Sequence, residues 1–174
     1  MARMRYFTCA FAVLTTSVWL GGCVALAVLA VAVFRGSGLD RETAGKATAA
    51  MFLWFGRGQL LVGALALIAV FLGYLQRPKA GRGGGAIAAL FVLLAAASIA
   101  AAAFNMYLVP RIEQLRLTGQ AQSAAFHVLH KQSERLMTGL TAALLIAAAL
   151  LPAFCRAVLP PRAPAAPADA SPAA

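Results

Sequence analysis

The sequence predicts an all-α fold: a four-helix transmembrane bundle built from two long antiparallel helical hairpins, with a disordered Pro/Ala-rich C-terminal tail. Three observations predict it. Of 174 residues, 62% are hydrophobic and only 11% charged, against about 45–50% and about 25% in soluble domains. The mean hydropathy is +0.82. The apolar residues form four runs separated by basic stretches. A water-soluble chain of this size would expose large apolar patches, whereas lipid accepts that surface as solvent. Residues 1–158 read as one transmembrane domain and 159–174 as the tail.

The first run extends from Phe7 to Phe34 without a charge, longer than the about 20 residues that cross a bilayer. Arg3 and Arg5 flank it. Leu20-Gly21-Gly22-Cys23 is lipobox-like, which would make Cys23 a lipidated N-terminus after cleavage. The run stays apolar from Val24 to Phe34, however, and a signal h-region has only about 7–15 residues. An uncleaved helix is therefore expected. The second run, Met51 to Gln76, contains Arg57. Its helix is expected to begin near Asp40, an N-cap residue with Glu42 in the first turn. The third, Ala86 to Val109, is alanine-rich and is expected to continue as helix through Pro110 to about Gly119. The fourth, Leu136 to Cys155, is expected to start near Ser123. Such helices exceed a hydrocarbon core of about 30 Å, so both hairpin turns project on one side. An even number of spans also puts both termini on one side.

The net charge of +10 is distributed between apolar runs, which reads as interfacial anchoring and topology rather than nucleic-acid binding. Arg3, Arg5 and the short Arg77–Gly85 turn lean toward termini in the cytoplasm, in a bacterial inner membrane. After Pro160 the chain lacks the apolar residues that offset ordering entropy. Cys9, Cys23 and Cys155 have no metal or redox spacing and read as small buried residues. Pairs of small residues four apart, Gly21 with Ala25 and Gly139 with Ala143 and Ala147, offer close helix packing.

The apolar spans hold no Asp, Glu or His, which argues against proton-coupled transport and haem ligation between helices. No cofactor or metal is expected, and with no recognisable nucleophile–base pair, no enzyme. Arg57 is expected to snorkel to the interface, because a buried charge costs about 2.5–3.5 kcal/mol. The densest polar chemistry lies between Asn105 and Glu134. His127, His130 and Glu134 share one helical face, and a solvated face is a better reading of them than a zinc site. An antiparallel hairpin turning near Gln120 puts Arg111 opposite His130 and Ser133 near Leu108. Asn105, Arg111, His130 and Ser133 are then a candidate polar cluster at the membrane interface. It would clamp the hairpin or bind an anion or lipid headgroup.

Asn105-Met-Tyr-Leu-Val-Pro110-Arg111-Ile112, followed by Phe126-His-Val-Leu129-His130-Lys-Gln-Ser133, resembles a bacterial domain-of-unknown-function family related to eukaryotic transmembrane protein 205. Trp19-Leu-Gly21-Gly22, Ala44-Gly45 and Met51-Phe52 fit the same pattern, and the likeness covers most of residues 7–155. It implies a four-helix membrane protein without a settled activity, whose eukaryotic branch is associated with tolerance of platinum compounds. His130 takes the family position and His127 does not. Glu134 and Arg135 depart from the more apolar residues expected there. The leading functional expectation is a structural or accessory bundle that contacts the lipid bilayer and packs with a second copy or a membrane partner protein. The alternative is a small binding or transport module for an anion, metal or lipid headgroup.

Overall fold

A computed structural model describes residues 2–78 and 83–160. Four helices account for nearly all of them: α1 (Ala2–Gly36), α2 (Arg41–Gln76), α3 (Gly84–Leu117) and α4 (Ala124–Val158). All four are long and apolar enough to cross a membrane, and the described residues contain no strand. The central part of the basic turn (79–82) and most of the expected tail (161–174) lie outside the described residues.

The helix ends follow the local chemistry. Asp40 caps α2, its Oδ1 accepting from the backbone N–H groups of Glu42 and Thr43 at 2.9 Å each. Ser123 caps α4, its hydroxyl oxygen accepting from Phe126 N–H at 3.2 Å. The far end of α3 closes with Gln120 N–H donating to the Leu115 carbonyl and Gly119 N–H to that of Arg116. Gly119 has φ +73°, the left-handed conformation such a cap needs and glycine adopts without strain.

Helix α3 is interrupted by one wide turn over Phe104–Leu108, in which Val109 N–H reaches back to the Phe104 carbonyl. Pro110 has no N–H to offer the preceding turn, and the backbone absorbs the extra residue as a π turn rather than breaking.

The helices pack as a ring, each against two neighbours in the order α1, α2, α3, α4. Trp19, Ile87, Leu90, Leu94, Leu140, Leu144 and Phe154 fill the centre. In the second hairpin, a Cβ on Gly83 would strike Ala157, and Ala97 and Ala100 share a surface recess with Leu140 and Ala143. This is the register that puts Arg111 level with His130.

The small residues that allow close approach are only in part those expected: Ala147 is buried in the core and Ala143 packs against it. Gly21, Ala25 and Gly139 are exposed, and a Cβ on Gly21 or Gly139 would meet nothing within 4 Å. Helix α2 does this work instead, through Gly56, Gly63 and Gly73 on one face. A Cβ on Gly56 would collide with Asn105 of α3, and one on Gly73 with Phe154 of α4. At Gly63 the Trp19 ring would lie at 2.8 Å and the Ser98 hydroxyl at 3.1 Å.

Exposed aromatic residues mark two levels. Trp54 and Tyr107 lie near one end and Tyr6 and Tyr74 near the other. Because Gly56 opposes Asn105, Trp54 and Tyr107 share a height. From Trp54 to Tyr74 along α2 is about 30 Å at 1.5 Å per residue, the thickness of the hydrocarbon core.

Candidate functional site

The polar residues singled out from the sequence lie where α2, α3 and α4 leave the apolar layer. Asn105 sits in the π turn. Its Nδ2 donates to the Ala101 carbonyl at 2.7 Å, and its side chain fills the notch left by Gly56. It joins α2 to α3. Arg111, one and a half turns further, is exposed and donates to the Tyr107 hydroxyl at 2.8 Å, its guanidinium 4.5 Å from that ring's centre.

On α4, His130 stacks on Phe126 with ring centroids 5.8 Å apart, and its Nε2 lies 3.3 Å from Glu134 Oε1. Ser133 is buried, and its hydroxyl donates to the His130 carbonyl at 2.7 Å. His127 is exposed and meets the edge of Phe126. Asn105, Arg111, His130 and Ser133 thus each make their hydrogen bonds or ion pairs within their own helix. Among the described residues none of these bonds links Arg111 to His130, and no three His, Cys, Asp or Glu side chains group closely enough to hold a metal.

Arg57 is exposed on the outer face of α2, with its guanidinium 5.4 Å from the centre of the Trp54 ring. The charge is drawn back toward the aromatic level by one turn, where ring quadrupole and headgroups both favour it. Glu113 and Arg116 close a two-point ion pair on α3, at 2.5 and 2.8 Å. Glu42 and Lys46 pair one turn apart on α2 at 2.6 Å. The arrangement leaves Arg111 and His130 exposed on adjacent helices, one engaged with Tyr107 and the other with Glu134, and uses Asn105 and Ser133 inside the bundle.

A second polar set lies deeper and escaped sequence reasoning. Gln59 of α2 is 2% exposed, one turn from Gly56 and one from Gly63. The Trp19 indole N–H donates to its Oε1 at 3.4 Å, while its Nε2 has no hydrogen-bond partner. Thr16, on the same face of α1 as Trp19, is fully buried with an unpartnered hydroxyl. Thr15 and Ser98 instead return their hydroxyls to carbonyls of their own helices. The available signal was an amide three and four residues from glycines in an apolar run, a pattern that puts it on the closely packed face.

A family model described as a domain of unknown function (DUF4149) matches residues 14–121. The match takes in most of α1, all of α2 and α3 with Trp19, Gln59, Asn105 and Arg111, and ends before α4 with His130 and Ser133. No curated protein and no solved structure matches the chain.

Proposed function

The chain belongs to the DUF4149 family, a domain of unknown function, and from that premise we propose that this four-span membrane protein is an accessory bundle that docks laterally on another membrane helix through the outer face of α1. The observation that carries this reading is what α1 leaves unused. Ser17, Gly21 and Ala25, four residues apart, all face away from the bundle. Small residues at that spacing let two helices approach closely in lipid, where packing rather than the hydrophobic effect drives association.

Two further features support it. Of the most apolar stretch of α1, 17% is buried inside the bundle, against 22% for α4 and 33% for α2 and α3. Its apolar run also outlasts the others. Gly22 faces Phe55, so Val24 to Phe34 run beside the part of α2 that carries Lys46 and lies beyond Trp54. Val28, Leu29, Val31 and Phe34 are each more than half exposed there. In this reading the occupant is a second copy or a partner span, the protein is not an enzyme, and the Arg111/His130 surface is secondary. The same reading puts the chain in a bacterial cytoplasmic membrane with Arg3, Arg5 and Arg77 on the cytoplasmic side. Kinship with eukaryotic transmembrane protein 205 rests on the Asn105–Ile112 and Phe126–Ser133 patterns and remains part of this proposal.

The test is Gly21→Ile, measured by fluorescence energy transfer between labelled chains in vesicles and by pull-down of membrane partners after mild extraction. The expected result is association weakened about tenfold with an unchanged unfolding midpoint, since Gly21 touches nothing in its own bundle. Equal association of Gly21→Ile and wild type would contradict the reading.

A further inference from the structure

At the end of the bundle opposite the hairpin turns, the start of α1 and the end of α2 enclose a recess of about 280 Å³ lined by Met4, Arg5, Leu75, Gln76 and Arg77. We propose that this recess is a binding site for the phosphate of a phospholipid headgroup, with Arg5 and Arg77 as its anion-binding residues.

The two guanidiniums come from different helices and are held differently. Arg77, the C-cap of α2, lies over the Tyr74 ring at 4.4 Å from its centre. Its Nη1 occupies the space a side chain at residue 84 would need, 2.5 Å from a Cβ built on Gly84. Ring and glycine together aim the fork. Arg5 comes from the first turns of α1, which Gln76 ties to α2. Gln76 Nε2 donates to the Thr8 hydroxyl at 3.1 Å, and Thr8 donates to the Met4 carbonyl at 2.9 Å. The other end of that amide, Gln76 Oε1, has no hydrogen-bond partner. That oxygen is buried, so the amide holds α1 against α2 and the headgroup contacts fall to Arg5 and Arg77.

Charge and depth select the same ligand. The four acids among the described residues, Asp40, Glu42, Glu113 and Glu134, all belong to the hairpin-turn end. No described carboxylate competes for Arg5 or Arg77. Tyr6 and Tyr74 put the recess at headgroup level. Leu75, 62% exposed on the membrane side of Arg77, offers an apolar flank for an acyl chain, and Met4, 61% exposed, adds apolar surface beside Arg5. A bidentate guanidinium suits a phosphodiester, and the apolar flank favours a lipid over free phosphate.

The test is native mass spectrometry and thermal unfolding of the full chain in neutral detergent. The probes are phosphatidylglycerol, phosphatidylcholine and soluble glycerophosphate. Phosphatidylglycerol is expected to bind and raise the unfolding midpoint. Arg5→Gln and Arg77→Gln should each weaken it about fivefold, as one interfacial cation does. Arg3→Gln and Arg156→Gln, at the same end but outside the lining, should leave it unchanged. Arg77→Lys, which keeps the charge and loses the fork, should fall between and serves if Arg77→Gln does not fold. Three results would overturn the site: equal losses for all four arginines, which is a general surface charge; phosphatidylglycerol binding unchanged by Arg5→Gln and Arg77→Gln; or glycerophosphate alone matching the lipid's effect, which is a free-phosphate site.

Discussion

Gln59 shows how a single residue changes meaning with its surroundings. In water an amide is cheap; between α1, α2 and α3 it is 2% exposed, with one long bond from Trp19 and a free Nε2. An unpaired buried donor costs about 1–3 kcal/mol, so Gln59→Leu removes a loss along with a contact. Its stability should stay within about 1 kcal/mol of wild type. Gln59→Glu puts a carboxyl in the same place and should cost about 3 kcal/mol, the insertion price of a charge in a span. Chemical denaturation in detergent checks both. A large loss in Gln59→Leu would show that the amide holds a partner essential to the fold. This residue and the notch of Gly56 left only a faint trace in the sequence, the spacing of an amide from two glycines, because the spans of α1, α2 and α3 are almost uniformly apolar. With no polar face to mark the outside, periodicity does not say which glycines face in. Gly21 and Ala25 had the expected spacing and face out; Gly56 and Gly63 face in.

At the scale of the element the sequence is more explicit, because helix ends are written in local chemistry. Asp40, Ser123 and Gly119 were readable as boundaries, and each closes a helix by the bonds its type supplies. Asp40 gives this a pH signature. Hydrogen bonds from the Thr43 backbone and hydroxyl, and from Glu42, hold its carboxyl below the usual aspartate value. With the folded value lowered, the charged cap stabilises α2 above the ordinary aspartate pKa. That contribution is lost as pH falls through the folded value. Asp40→Asn keeps the cap without the charge, and Asp40→Ala removes both. Unfolding midpoints at pH 7 should rank wild type and Asn above Ala, and the gap between wild type and Asn should close on acidification. A gap independent of pH would show that the charge plays no part. The helix continues past Pro110 as expected, but the π turn before it was not foreseen, although a proline inside a helix is where such a disturbance falls. That the disturbance is a wide turn carrying Asn105 toward Gly56 depends on α2 lying alongside. The polar residues of α3 and α4 were found by type and height, and the local contact of His130 with Glu134 follows from their shared face, but Arg111 turning to Tyr107 and His130 stacking on Phe126 were not foreseen.

For the whole molecule, the bundle is a slab with two unequal overhangs. Between Tyr74 and Trp54 it is matched to a bilayer. Beyond Trp54, α2, α3 and α4 turn polar while α1 remains apolar to Phe34, which gives the molecule one side fit for lipid or another helix where its other sides are wet. Both the lateral docking on α1 and the headgroup recess by Arg5 and Arg77 depend on where that slab sits. Spin labels at outward positions of α2 measure it directly, through their accessibility to oxygen and to a water-soluble nickel chelate in vesicles. Labels at Lys46, Leu53, Ala64, Ile68 and Leu75 span the range. The predicted profile is deepest at Ala64, falls toward Leu53 and Leu75, and leaves Lys46 open to the chelate. A profile deepest near Leu53, or one in which Lys46 is shielded from water, would contradict the placement of the bundle.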